Sequence, residues 1–87
     1  MTGQTTRQTF EIVEQVSVLR IAETGWTREL GMVTWYNKPT SIDVRWWSPD
    51  KSKAGKGISM TSDEAKRLFE GLKVIFEKGG NVDGQEL

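Results

Sequence analysis

An 87-residue chain has room for one domain, and a domain that small buries only roughly 60–65% of its unfolded surface, so pairing with a second copy would relieve its marginal stability. With no Cys and no His, the sequence excludes disulfides, thiolate chemistry, zinc sites of the usual kind and His-based acid–base catalysis, and it fits a reducing cytoplasm. Twelve Lys and Arg balance twelve Asp and Glu, and no apolar run approaches the ~20 residues of a membrane helix.

Residues 1–8 read as a disordered polar tail without a signal-peptide core. The run Thr9 to Glu23 is rich in Val and Ile and reads as a first strand. Its alternation is interrupted at Glu14, Gln15 and Ser17, which predicts a bulge or bend near Glu14. Thr24-Gly25 marks a turn, and Thr27 to Tyr36 a second strand. Asn37-Lys38-Pro39-Thr40 closes a hairpin onto a third strand, Ser41 to Trp47. Here Ile42, Val44 and Trp46 share one face, while Asp43, Arg45 and Trp47 share the other. The first set should pack against a helix and the second should be open.

After a lysine-bearing loop, Gly57 to Met60 forms a short fourth strand. Thr61 and Glu64 then make a T-x-x-E capping box, with Asp63 favourable in the first turn. Ala65, Leu68, Phe69, Leu72, Ile75 and Phe76 follow helical spacing, and Gly79-Gly80 ends the helix. Residues 80–87 read as a flexible tail. The order β-β-β-β-α predicts an α+β domain over residues 9–79, an antiparallel sheet covered on one face by a C-terminal helix.

The zero net charge conceals a lopsided distribution. Between Trp35 and Met60, Lys38, Arg45, Lys51, Lys53 and Lys56 stand against Asp43 and Asp50, a local excess of three positive charges. Lys51, Lys53 and Lys56 alternate with small residues that let a backbone approach closely, and they follow directly on a tryptophan pair. Trp46 shares its face with aliphatics and is assigned to the core. Trp47 shares its face with Asp43 and Arg45 and is assigned to a ligand. Trp35 and Tyr36 point to opposite faces, so one packs and the other is available, and pattern does not say which. Trp26 can serve as a lid over the sheet edge. Arg45 can pair with Asp43 while its guanidinium stacks. Cations beside flat rings suit an unpaired nucleic-acid strand.

Ala54-Gly55-Lys56-Gly57 is not a phosphate-binding P-loop, because Gly57 stands where Ser or Thr is required and Asp50 occupies the first glycine position. The helix carboxylates alternate with Lys and Arg as a solvated face and form no catalytic pair. An enzyme is not expected.

The Ile42-Asp43-Val44-Arg45 strand, the aromatic pair after it, the basic loop and the Lys56-Gly57-Ile58-Ser59 junction before a capped helix together resemble the positive cofactor 4 (PC4) transcriptional coactivator family. Phe10 to Glu14, Gly25-Trp26 and Arg28-Glu29-Leu30 are similar to its small bacterial, YdbC-like branch. The resemblance spans about Phe10 to Phe76. It implies a curved four-stranded sheet plus one helix, a homodimer with helices packed together, and single-stranded DNA bound in channels along the sheets largely without sequence preference. Arg45 matches the family's strand-three arginine, Trp47 lies where the family carries a stacking aromatic, and Trp35 or Tyr36 falls near a second. The hairpin at Asn37–Thr40 departs from the family's basic turn, and the acidic, serine-rich region of eukaryotic members is missing.

The expected nucleic-acid contacts are therefore Trp26, Arg28, Trp35, Tyr36, Lys38, Arg45, Trp47, Lys51, Lys53 and Lys56, with Leu68, Phe69, Leu72, Ile75 and Phe76 as the dimer interface. The expected ligand is single-stranded DNA or RNA, with no cofactor, metal or membrane, in the cytoplasm or on the bacterial nucleoid. The rival expectation is a dimeric module that contacts the transcription machinery or another protein.

Overall fold

The computed structural model describes residues 10–79, and both expected tails, together with Thr9, lie outside them. Four strands form one antiparallel sheet in chain order: β1 (Phe10–Ile21), β2 (Thr27–Trp35), β3 (Thr40–Trp47) and β4 (Ala54–Met60), followed by α1 (Ser62–Glu77). This is the expected α+β order. β4 begins three residues earlier than the pattern suggested, because Ala54 pairs with Trp47 across the loop.

β1 departs most from simple alternation. Its pairing with β2 skips between Ile12 and Glu14, between Gln15 and Ser17, and between Val18 and Arg20. Val13, Val16 and Leu19 are the extra residues, so 12 residues of β1 lie against 9 of β2. The bend foreseen near Glu14 is the first of three bulges, each of which bends the strand and raises its twist. Gly31 permits a close approach of β1 to β2: a Cβ there would stand 2.6 Å from the Glu14 carbonyl oxygen.

The turns use residues suited to them. Asn37 adopts φ 61° in the β2–β3 hairpin, where Lys38 N donates to Trp35 O at 2.9 Å. The β3–β4 loop is organised around Asp50, whose Oδ1 accepts from Ser48 Oγ (2.9 Å), Ser52 N (3.0 Å) and Ser52 Oγ (2.7 Å). Those bonds, led by the Ser52 hydroxyl, lower the Asp50 pKa from 3.8 to about 2.

The capping box at the start of α1 is formed as expected. Glu64 N donates to Thr61 Oγ1 at 3.1 Å, and Thr61 N donates to Glu64 Oε1 at 2.8 Å. Beyond Lys78, Gly79 turns the chain at φ 74°. The helix does not cover the sheet as expected. It packs against β3 and β4 near its own start, and none of its residues is buried. The chain is accordingly thin, 56 × 33 × 16 Å. Its core is small and partly polar: Val33, Trp47 and Met60 are buried beside Glu29, Asp43 and Ser48. No helix among the described residues is long and apolar enough to cross a membrane.

Candidate nucleic-acid interface

The two faces of β3 differ in a way that alternation alone did not reveal. On one face Trp47 is only 2% exposed, not open as expected. Its ring lies 5.1 Å from Phe10 and stacks on Trp35 at 6.4 Å and 10°, and Phe10 meets Trp35 edge-on at 5.7 Å. Charge on this face is neutralised internally. Arg45 Nε and Nη2 donate to the two Asp43 oxygens at 2.7 and 2.9 Å, and Nη1 donates to Gly55 O at 3.0 Å. Ser59 Oγ donates to Asp43 Oδ2 at 2.6 Å. These bonds let Asp43 be buried at 1% exposure without an unmet acceptor.

Lys51 is committed in the same way. Its ammonium lies 2.7 Å from Glu29 Oε2 and donates to Thr27 Oγ1 at 3.1 Å, pinning the β3–β4 loop to β2. Glu29 is buried, and Lys51 itself adopts φ 66° to reach it. Expected as one of three equivalent loop cations, Lys51 is tied to the fold, whereas Lys53 and Lys56 are exposed.

The Arg45 guanidinium also lies over the Trp35 ring, 4.6 Å from its centroid. Trp35, Lys38 and Arg45 line an open groove of about 750 Å³, with Ser41, Ser59 and the first turn of α1. Three of the expected contacts therefore converge there. Trp35 is the member of its pair that packs, and Tyr36 is 55% exposed beside the hairpin. The buried Trp35 Nε1 has no hydrogen-bond partner among the described residues.

Trp46, expected in the core, is half-buried on the other face. The Arg28 guanidinium lies 4.8 Å from its ring centroid, and the two line a smaller groove with Lys56 and Ile58. Trp26 rests on Gly55, whose added Cβ would meet its ring at 3.1 Å, and it lines a third groove with Lys53 and Pro49. The expected contacts thus fall into a Trp35–Lys38–Arg45 group, an Arg28–Lys56 group and a Trp26–Lys53 group, with Trp47 beneath the first. Sequence parity separated the faces correctly but misjudged which one closes. The missed signal was the supply of buried-pair partners: Asp43 and Glu29 neutralise Arg45 and Lys51, so a polar face becomes core.

A profile of the transcriptional coactivator p15 (PC4) family matches residues 22–71, from the turn before β2 into α1. The chain belongs to that family. It is also similar to an uncharacterised protein of Treponema pallidum (strain Nichols), 40% identical over 59 residues that make up 68% of this chain and 69% of that protein. The PC4-family match covers the whole Trp35–Lys38–Arg45 groove and the Arg28–Trp46 pair.

Along α1, Leu68, Phe69, Leu72, Ile75 and Phe76 form an exposed apolar stripe.

Proposed function

We propose that this PC4-family chain binds single-stranded DNA, and RNA less well, without sequence preference and without any catalytic step. The observation that carries the reading is the 750 Å³ groove in which the Trp35 ring, roofed by the Arg45 guanidinium, meets Lys38. Bases stack on ring and guanidinium planes, while Lys38 and the exposed Lys53 and Lys56 attract phosphates. Lys51 and Trp47 act behind this surface, holding the loop and supporting Trp35. Tyr36, at the groove's hairpin end, supplies a second ring.

The active form is proposed to be a homodimer built on Leu68, Phe69, Leu72, Ile75 and Phe76. What supports this is that no residue of α1 is buried within one chain although its apolar residues gather along one side. Light scattering across a concentration series tests it, and a monomer at every concentration overturns it.

Titration of the intrinsic tryptophan fluorescence with oligo-dT, with duplex and RNA as competitors, tests the binding. Quenching that weakens steeply with salt and resists duplex competition is the expected result. Absence of binding at micromolar protein and moderate salt would favour a protein-interaction module instead.

A further inference from the structure

A second charged surface runs across the sheet on the face opposite Arg45 and Trp35. Antiparallel pairing sets Arg20 of β1 directly opposite Arg28 of β2, and Arg28 directly opposite Trp46 of β3. Lys56 of β4 lines the same groove as Arg28 and Trp46, a space of about 280 Å³. Four strands therefore contribute one cation, a second cation, an aromatic ring and a third cation, in that order, over about 14 Å at ordinary strand spacing.

None of these charges is neutralised from within. Among the described residues neither Arg20, Arg28 nor Lys56 forms an ion pair, and all three are exposed. This contrasts with Arg45 and Lys51, each held by a buried carboxylate. Like charges directly opposite on neighbouring strands are destabilising, so folding alone gives no reason for Arg20 to face Arg28. An anion laid across the row supplies one. The row also stands clear of α1. The helix leaves the sheet at Met60, which pairs with Ile42, four residues or about 13 Å along β3 from Trp46.

We infer that Arg20, Arg28, Trp46 and Lys56 form a second contact surface for single-stranded nucleic acid, crossing the strands on the face opposite the Trp35–Lys38–Arg45 groove. The inference rests on the reading of the chain as a single-strand binder. Phosphates lie on Arg20, Arg28 and Lys56. A base stacks on the outer side of the Trp46–Arg28 pair, because a guanidinium already lying over a ring extends the stacking platform. The alternation of charge with a flat ring fits a nucleic-acid strand better than an acidic peptide, which has no use for the ring.

The test measures oligo-dT affinity against salt for the intact chain, the double variant Arg20→Thr/Arg28→Thr, and Trp46→Leu. The double variant is expected to lower the slope of log affinity against log salt by about 1.4, two phosphate contacts at about 0.7 each, and to melt no lower than the parent. Trp46→Leu is expected to weaken binding about 5- to 140-fold with the slope unchanged. If the parent binds oligo-dT but the double variant keeps its slope and affinity, this surface is wrong while the proposed function stands. If the parent does not bind at all, the proposed function itself fails. A slope that falls in the double variant with no effect of Trp46→Leu overturns the stacking role, and competition by polyglutamate equal to that by oligo-dT overturns the choice of nucleic acid as partner.

Discussion

Trp46 and Trp47 are neighbours in sequence with opposite surroundings. Trp47 is enclosed by Phe10 and Trp35 on a face where Asp43–Arg45 and Glu29–Lys51 leave no unmet charge. Trp46 is half-buried under an exposed arginine that forms no ion pair among the described residues. The comparison teaches that burial here follows neutralisation more than hydropathy. The face of Asp43, Arg45 and Glu29 became the interior because each charge there has a partner, and the face of Trp46 kept its unpaired cations outside.

The most severe way to break the contrast is Trp47→Ala, expected to cost about 3–5 kcal/mol through the cavity it leaves, and in so small a domain that approaches global unfolding in urea. Trp46→Ala should cost markedly less, and equal losses would erase the distinction. Next comes Asp43→Ala, which strands the Arg45 guanidinium. Removing one member of a buried pair costs about 3–5 kcal/mol, and the residual 14% exposure of the Arg45 side chain places the expected loss at the lower end.

Lys51→Met sharpens the comparison at the level of binding. It should lower stability while leaving the salt slope of oligonucleotide affinity unchanged, whereas Lys38→Gln should reduce that slope by about 0.7 with no change in melting. A reduced slope in Lys51→Met would return Lys51 to the ligand. Smaller still is Thr61→Ala, which removes the capping-box hydroxyl and should cost about 1 kcal/mol in thermal unfolding. The smallest effect is a pH effect. Asp50 stays ionised in the folded loop to about pH 2 but protonates near 3.8 once released, so its contribution is complete above about pH 4 and disappears as the pH falls towards 2. Asp50→Asn should flatten that part of the acid-unfolding profile.

Much of the fold was legible because its signals are local. Thr61 and Glu64 announce the start of α1 through a reciprocal pair of hydrogen bonds, Asn37 and Gly79 occupy left-handed positions suited to them, and Ile42 to Trp47 alternates cleanly. The rest depends on partners far away in sequence. That Lys51 belongs to the fold is decided by Glu29, twenty-two positions earlier, and that Trp47 is enclosed is decided by Phe10 at the far edge of the sheet. The bulges of β1 recur every third residue, a rhythm matching neither strand nor helix periodicity, so only the first left a trace in the pattern. The helix was readable as amphipathic, but the sequence could not show that its apolar stripe turns away from its own sheet.

Those three bulges also bear on solubility. β1 is an outer strand carrying exposed Val13, Val16, Val18, Leu19 and Ile21, the composition of a segment that recruits foreign strands into fibres. Because its backbone falls out of step at Val13, Val16 and Leu19, an incoming strand meets no uninterrupted ladder of donors and acceptors along it. The irregularity that curves the sheet also keeps a sticky border from growing.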